Sequence, residues 1–100
     1  MAIEIKENSG MFEILGNISS QNMTSLKNYF ESIIPISESI ILNIEKVGGI
    51  DKSGAYMLEK LYKGAVEKNK IISIIGRQNK KIASIMKNTK THYILSNDRV

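Results

Sequence analysis

Apolar and polar residues alternate at the start of the chain, Ile3 and Ile5 on one side and Glu4 and Lys6 on the other, so Ala2 to Glu7 reads as a half-buried strand. Asn8-Ser9-Gly10 has turn chemistry. Met11 to Leu15, with Phe12 and Ile14 opposite Glu13, completes a hairpin that Gly16 is expected to end. Between Gln21 and Ile34 the period changes. Met23, Leu26, Phe30 and Ile33 recur every three or four positions and share, with Tyr29 and Ile34, one arc of about 140° on a helical wheel. Ser19 or Ser20 is the expected cap of this amphipathic helix, and Pro35 its stop.

Ser39 to Ile44 is an almost unbroken apolar run, the composition of a central strand covered on both faces. Val47-Gly48-Gly49-Ile50-Asp51 reads as a loop. A second helix starts near Ser53, with Met57, Leu58, Leu61, Tyr62, Ala65 and Val66 inward and Glu59, Lys60, Lys63 and Glu67 outward. Lys70 to Ile75 repeats the buried-strand signature before Gly76. Gln78 to Asn88 forms a short helix with Ile82, Ile85 and Met86 inward, and Tyr93-Ile94-Leu95 a last edge strand before a polar tail. Strands alternating with helices after an opening hairpin predict an α/β fold: a mixed four- to five-stranded sheet with amphipathic helices mainly on one face. Residues 1–100 are read as a single domain.

Composition removes several chemistries. The chain has no Cys and one His, which excludes a disulfide scaffold, a catalytic thiol and a Cys/His zinc cluster. His92 has no acid or nucleophile spaced to serve it, so it reads as a surface or edge residue. No catalytic residue, metal ligand or cofactor is expected, and the chain is not read as an enzyme. No apolar run approaches the roughly 20 residues of a membrane-spanning helix, and the N-terminus lacks the pattern of a signal peptide. A cytoplasmic address and no membrane insertion are the expectations.

Charge is divided unevenly. Residues 1–50 carry 3 Lys and 6 Glu, whereas residues 51–100 carry 11 Lys and Arg against 4 acids. Arg77, Lys80, Lys81, Lys87 and Lys90 make a basic face that suits nonspecific phosphate contacts, and a nucleotide or nucleic-acid binder is one reading of this half. No aromatic stacking set accompanies the cations, so a solvated helix face is favoured and nucleic acid is not an expected partner.

Ligands of open α/β sheets approach the carboxyl ends of parallel strands, here the loop 46–53 and Gly76-Arg77-Gln78. In Gly49-Ile50-Asp51-Lys52-Ser53-Gly54, both Asp51 and Ser53 can offer oxygen to the free amides of the following helix. Local physics alone favours a simple N-cap. Gly48-Gly49 lacks the Gly-Lys-Ser/Thr ending of a phosphate-cradling loop.

The stretch Ile40-Ile41-Leu42-Asn43-Ile44-Glu45-Lys46-Val47-Gly48-Gly49-Ile50-Asp51-Lys52-Ser53-Gly54-Ala55 resembles the signature of the STAS domain, shared by sulphate transporters and anti-sigma-factor antagonists. Phe12-Glu13-Ile14-Leu15-Gly16-Asn17-Ile18 looks like that family's second strand and Gly-x-Leu loop, and Lys70 to Gly76 like its fourth strand. The resemblance covers roughly residues 2–90. It departs from the pattern at Lys52, where a small Ser or Thr is usual, at Ala55 in place of Leu, and at Ser19, where antagonists commonly have Asp.

The resemblance implies that Ser53 is phosphorylated by a partner serine kinase, with Asp51, Lys52 and Gly54 as its neighbours, to control transcription or stress signalling. The partner is expected to dock on Asn17, Ser19, Asn22, Gly49, Tyr56 and Glu59, and the free chain to be a monomer. The alternative is a constitutive STAS subunit of a transporter or other assembly, in which Ser53 is only a helix cap.

Overall fold

The computed structural model describes residues 3–96. Strands β1 (Glu4–Asn8) and β2 (Met11–Ile18) pair antiparallel, with Asn8 opposite Met11 and only Ser9-Gly10 between them. Both loop residues have positive φ, 52° and 86°, as the tight hairpin turn that matches strand twist requires. Helix α1 (Met23–Ile33) follows, then β3 (Ser39–Asn43), β4 (Val47–Ile50), α2 (Lys52–Glu67), β5 (Ile71–Ile75) and α3 (Lys80–Asn88). The sheet runs β1-β2-β3-β5, and β4 pairs with the far end of β2. All pairings except the opening hairpin are parallel.

Register lines up one apolar face. Ile5 lies beside Ile14, Phe12 beside Leu42, Leu42 beside Ile74, and Ile40 beside Ile72. Leu26 and Phe30 of α1, Met57, Leu58, Leu61 and Ala65 of α2, and Ile82 and Met86 of α3 close over these rows as one core. Each large side chain buried this way contributes about 1.5–3 kcal/mol. Edge-to-face contacts among Phe12, Tyr29 and Phe30 seat α1 on β2. All three helices contribute to this single core, as the α/β expectation required.

Several local expectations change. Gly16 does not end β2; with φ of 97° it makes a bulge, after which Asn17 and Ile18 pair with Gly49 and Ile50. The stretch Val47–Ile50, expected as a loop, is therefore the strand β4. Helix α1 starts after Asn22 rather than on a Ser19 or Ser20 cap. Strand β3 is central but closed on one face only, since Ile41 and Asn43 on the other remain half-buried. Strand β5 is an edge, leaving Ile71 66% exposed, and Val66 on α2 points outward. Tyr93 and Ile94 lie in a single 3-10 turn, and only Leu95 bridges to Ile74.

Candidate functional site

Parallel strands β2 and β4 deliver two loops to the same end of the sheet, and Asp51 ties them together. The residue is extended, its own amide donating to the Ile18 carbonyl at 3.2 Å, so the chain enters α2 directly from β4. One carboxylate oxygen accepts from the Gly54 amide at 2.7 Å and the other from the Ser20 amide at 3.0 Å. Asp51 is thus the N-cap of α2 and the clamp on the β2–α1 loop. A cap of this kind contributes about 1 kcal/mol.

Ser53 is not the cap. It sits in the first turn of α2, exposed. Gly54 beside it is buried, and a Cβ there would lie 2.4 Å from the Ile18 carbonyl oxygen and 2.8 Å from Ile18 Cγ2. The glycine lets α2 press onto the end of β2; it serves packing rather than access to Ser53 alone. Lys52 is exposed and makes no ion pair among the described residues.

The residues expected to meet a partner fall into two adjoining groups. Asn17, Ser19, Asn22 and Gly49 gather at the strand ends: Asn17 pairs with Gly49, the Asn22 side-chain amide donates to the Asn17 carbonyl at 2.7 Å, and the Asn22 backbone amide to the Ser19 carbonyl at 3.0 Å. Tyr56 and Glu59 stand further along α2. With Ser53 they line a groove of about 860 Å³ between α1 and α2, whose other lining residues include Met23, Thr24, Lys27, Glu31, Met57, Lys60 and Leu61. Ser53 belongs to the lining of this groove and, through Asp51, adjoins the strand-end group.

Two polar anchors escape a reading of the sequence. The Asn79 side chain caps α3, accepting from the Ile82 amide, while its amide nitrogen donates to the carbonyls of Ile44, Glu45 and Val47 at 2.9–3.3 Å. That fixes the turn between β3 and β4. Asparagine at an N-cap is a readable signal, but its three distant acceptors are not. Tyr93, half exposed, donates its hydroxyl to Glu59 and stacks edge-on against Tyr62. Donation to the Glu59 carboxylate, followed by desolvation and the carboxylate's charge, pushes the Tyr93 hydroxyl up to about 12. Lys63 approaches the same Glu59 oxygen at 3.8 Å.

Elsewhere, His92 is held below its ordinary value by burial and by the charges of Arg77 and Lys87, which favour the neutral ring. Among the described residues no group of His, Asp and Glu is arranged to hold a metal ion, and no helix is long and apolar enough to cross a membrane.

The fold has solved counterparts. The chain is similar to the anti-sigma factor antagonist SpoIIAA in its unphosphorylated form, with a TM-score of 0.73 at 10% identity over 97% of this chain and 88% of that one. An anti-sigma factor antagonist from Mycobacterium paratuberculosis matches with a TM-score of 0.65 at 12% identity, over 95% of this chain and 85% of that one. Mglu matches 75% of this chain with a TM-score of 0.63 at 12% identity, and the chain spans only 19% of its length. These identities establish likeness of fold. No curated protein matches the chain in sequence. The family model described as STAS domain matches residues 1–96, and the chain therefore belongs to the STAS domain family.

Proposed function

We propose that the chain is a non-enzymatic interaction module of the anti-sigma-factor-antagonist kind, which binds a partner serine kinase and is switched by phosphorylation of Ser53 to control transcription or stress signalling. The observation that carries this reading is the division of labour at the start of α2. Asp51 does the capping, which leaves the Ser53 hydroxyl exposed and without structural duty beside a groove. Phosphate there adds a charge of nearly −2 at the positive end of a helix, a stabilising place for an anion, and alters the surface that a partner meets. Lys52 offsets part of that charge.

The partner surface in this reading joins the strand-end group, Asn17, Ser19, Asn22 and Gly49, to Tyr56 and Glu59 on α2. The module acts in the cytoplasm, as a monomer when free. Mass spectrometry of the protein from its host, across growth conditions, tests the switch: phosphate on Ser53 in at least one condition supports it, and an unmodified Ser53 in all of them favours a constitutive subunit.

A further inference from the structure

We infer that a phosphoryl group on Ser53 is held inside the groove between α1 and α2, paired with the ammonium groups of Lys27 and Lys60. The inference rests on the reading of Ser53 as a phosphoacceptor and adds to it the counter-charges and the place where the phosphate goes. Transfer forms a bond from Ser53 Oγ to the γ-phosphorus of a nucleoside triphosphate and breaks that phosphorus's bridging P–O bond. The nucleoside diphosphate leaves, and the hydroxyl proton passes to the kinase's base.

Three observations carry the inference. Ser53, Lys27 and Lys60 line the same groove, and Ser53 and Lys60 are seven residues apart on one face of α2, a rise of about 10 Å. Lys27, on the facing helix, belongs to the opposite wall of the groove.

Second, two of the three nearby acids are engaged elsewhere, while Glu31, which also lines the groove, carries no ion pair. The two oxygens of Asp51 accept from the Gly54 and Ser20 amides. Glu59 takes the Tyr93 hydroxyl and Lys63. Glu31, one turn beyond Lys27, is not within ion-pair distance of it. Neither Lys27 nor Lys60 makes an ion pair among the described residues, so both are available to a new anion.

Third, the groove has an apolar floor in Met23, Met57 and Leu61, while Ser53, Lys27 and Lys60 are themselves exposed, so their pairing with a phosphate is of the salt-screened surface kind. A phosphate dianion carries two negative charges, and two lysine ammonium groups balance them. Phosphorylation then changes the charge at the Ser53 end of the groove, so a partner that uses the groove meets an altered surface.

Phosphoserine introduced at position 53 by genetic code expansion tests this on the protein alone, with no kinase required. The phosphorus resonance is followed against pH. In the folded protein the second ionisation is expected about half a unit or more below that of a short phosphoserine peptide, which titrates near 6, and the difference is expected to shrink as salt is raised. Lys27→Met with Lys60→Met should bring the value back toward the peptide's, while Lys52→Met, adjacent in sequence but outside the groove lining, should move it less. Melting curves verify that each variant folds, and Gln replaces Met at both positions if the first pair does not. A peptide-like ionisation in the unsubstituted protein overturns the inference, as does a depressed one that survives loss of both lysines. Either result leaves the proposed switch intact, whereas a Ser53 never modified in the host removes the switch without touching this titration.

Discussion

The first turns of α2 and α3 are each closed by a short polar residue in extended backbone, Asp51 accepting from the Gly54 amide and Asn79 from the Ile82 amide. Each cap also reaches away from its helix. The spare oxygen of Asp51 clamps the Ser20 amide, and the Asn79 amide nitrogen shares its two hydrogens among three carbonyls of the β3–β4 turn. What differs is the surface beyond the cap. After Asp51 come Lys52, exposed, and Ser53, which lines a groove; after Asn79 come Lys80 and Lys81, exposed on the outer side of a helix whose inner side is core. Capping is common to both sites, so it cannot mark the functional one. In the proposed reading the distinguishing mark is a hydroxyl relieved of capping and placed against a concave surface.

The likeness of the two helix starts breaks most severely at Gly54. Gly54→Val drives a side chain into the Ile18 carbonyl and should cost about 3 kcal/mol or more, read as a large fall in the urea midpoint. Gly64 on the same helix has open space where a side-chain carbon would sit, with nothing within 4 Å, and Gly64→Ala should stabilise by up to about 1 kcal/mol. Asn79→Ala, which removes the donor of the Glu45 and Val47 carbonyls and leaves the Ile44 carbonyl only the Val47 amide, should cost about 2 kcal/mol. Asp51→Ala should cost about 1–2 kcal/mol and speed hydrogen exchange at the Ser20 and Gly54 amides together, because one carboxylate protects both.

A smaller effect is expected at the contact of Tyr93 with Glu59. Absorbance titration should find one tyrosine ionising near pH 12, and Glu59→Gln should return it toward the ordinary range. The sign follows from the raised value: the Tyr93 contact supports the fold fully below the unfolded value of about 10 and is lost as pH rises through about 12.

The elements on either side of the core were legible because each carries a strong period: the 3.6-residue spacing of Leu26 and Phe30 on α1, and the isoleucine runs at 40–44 and 71–75. Strand β4 was not legible. Half of Val47-Gly48-Gly49-Ile50 is glycine, so it shows no alternation, and it becomes a strand only because the Gly16 bulge turns the end of β2 toward it. The choice between Asp51 and Ser53 as cap was closed to local reasoning for the same cause. Both residue types cap well, and the pairing of β4 with β2 decides the matter by keeping the chain extended through Ile50. Ser53 was singled out by the loop that carries it, but Lys27 and Lys60 of the same groove were not, since the groove exists only once α1 and α2 pack side by side. The C-terminal segment misled in the other direction: Tyr93-Ile94-Leu95 has strand composition, yet Thr91, fully buried, starts a 3-10 turn there instead.

The central claim is that Ser53 is free for signalling because Asp51 holds the helix. Calorimetric titration of the wild type, Ser53→Ala and Ser53→Asp against the captured partner kinase, with melting curves in parallel, tests it most directly. Both variants are expected to lie within about 0.5 kcal/mol of the wild type in stability, an exposed non-capping position tolerating either side chain. Ala should bind like the wild type, and Asp, carrying part of a phosphate's charge, should bind more weakly. Equal affinities for Ala and Asp, or a loss of about 1 kcal/mol of stability in Ser53→Ala of the size a lost cap produces, would contradict it.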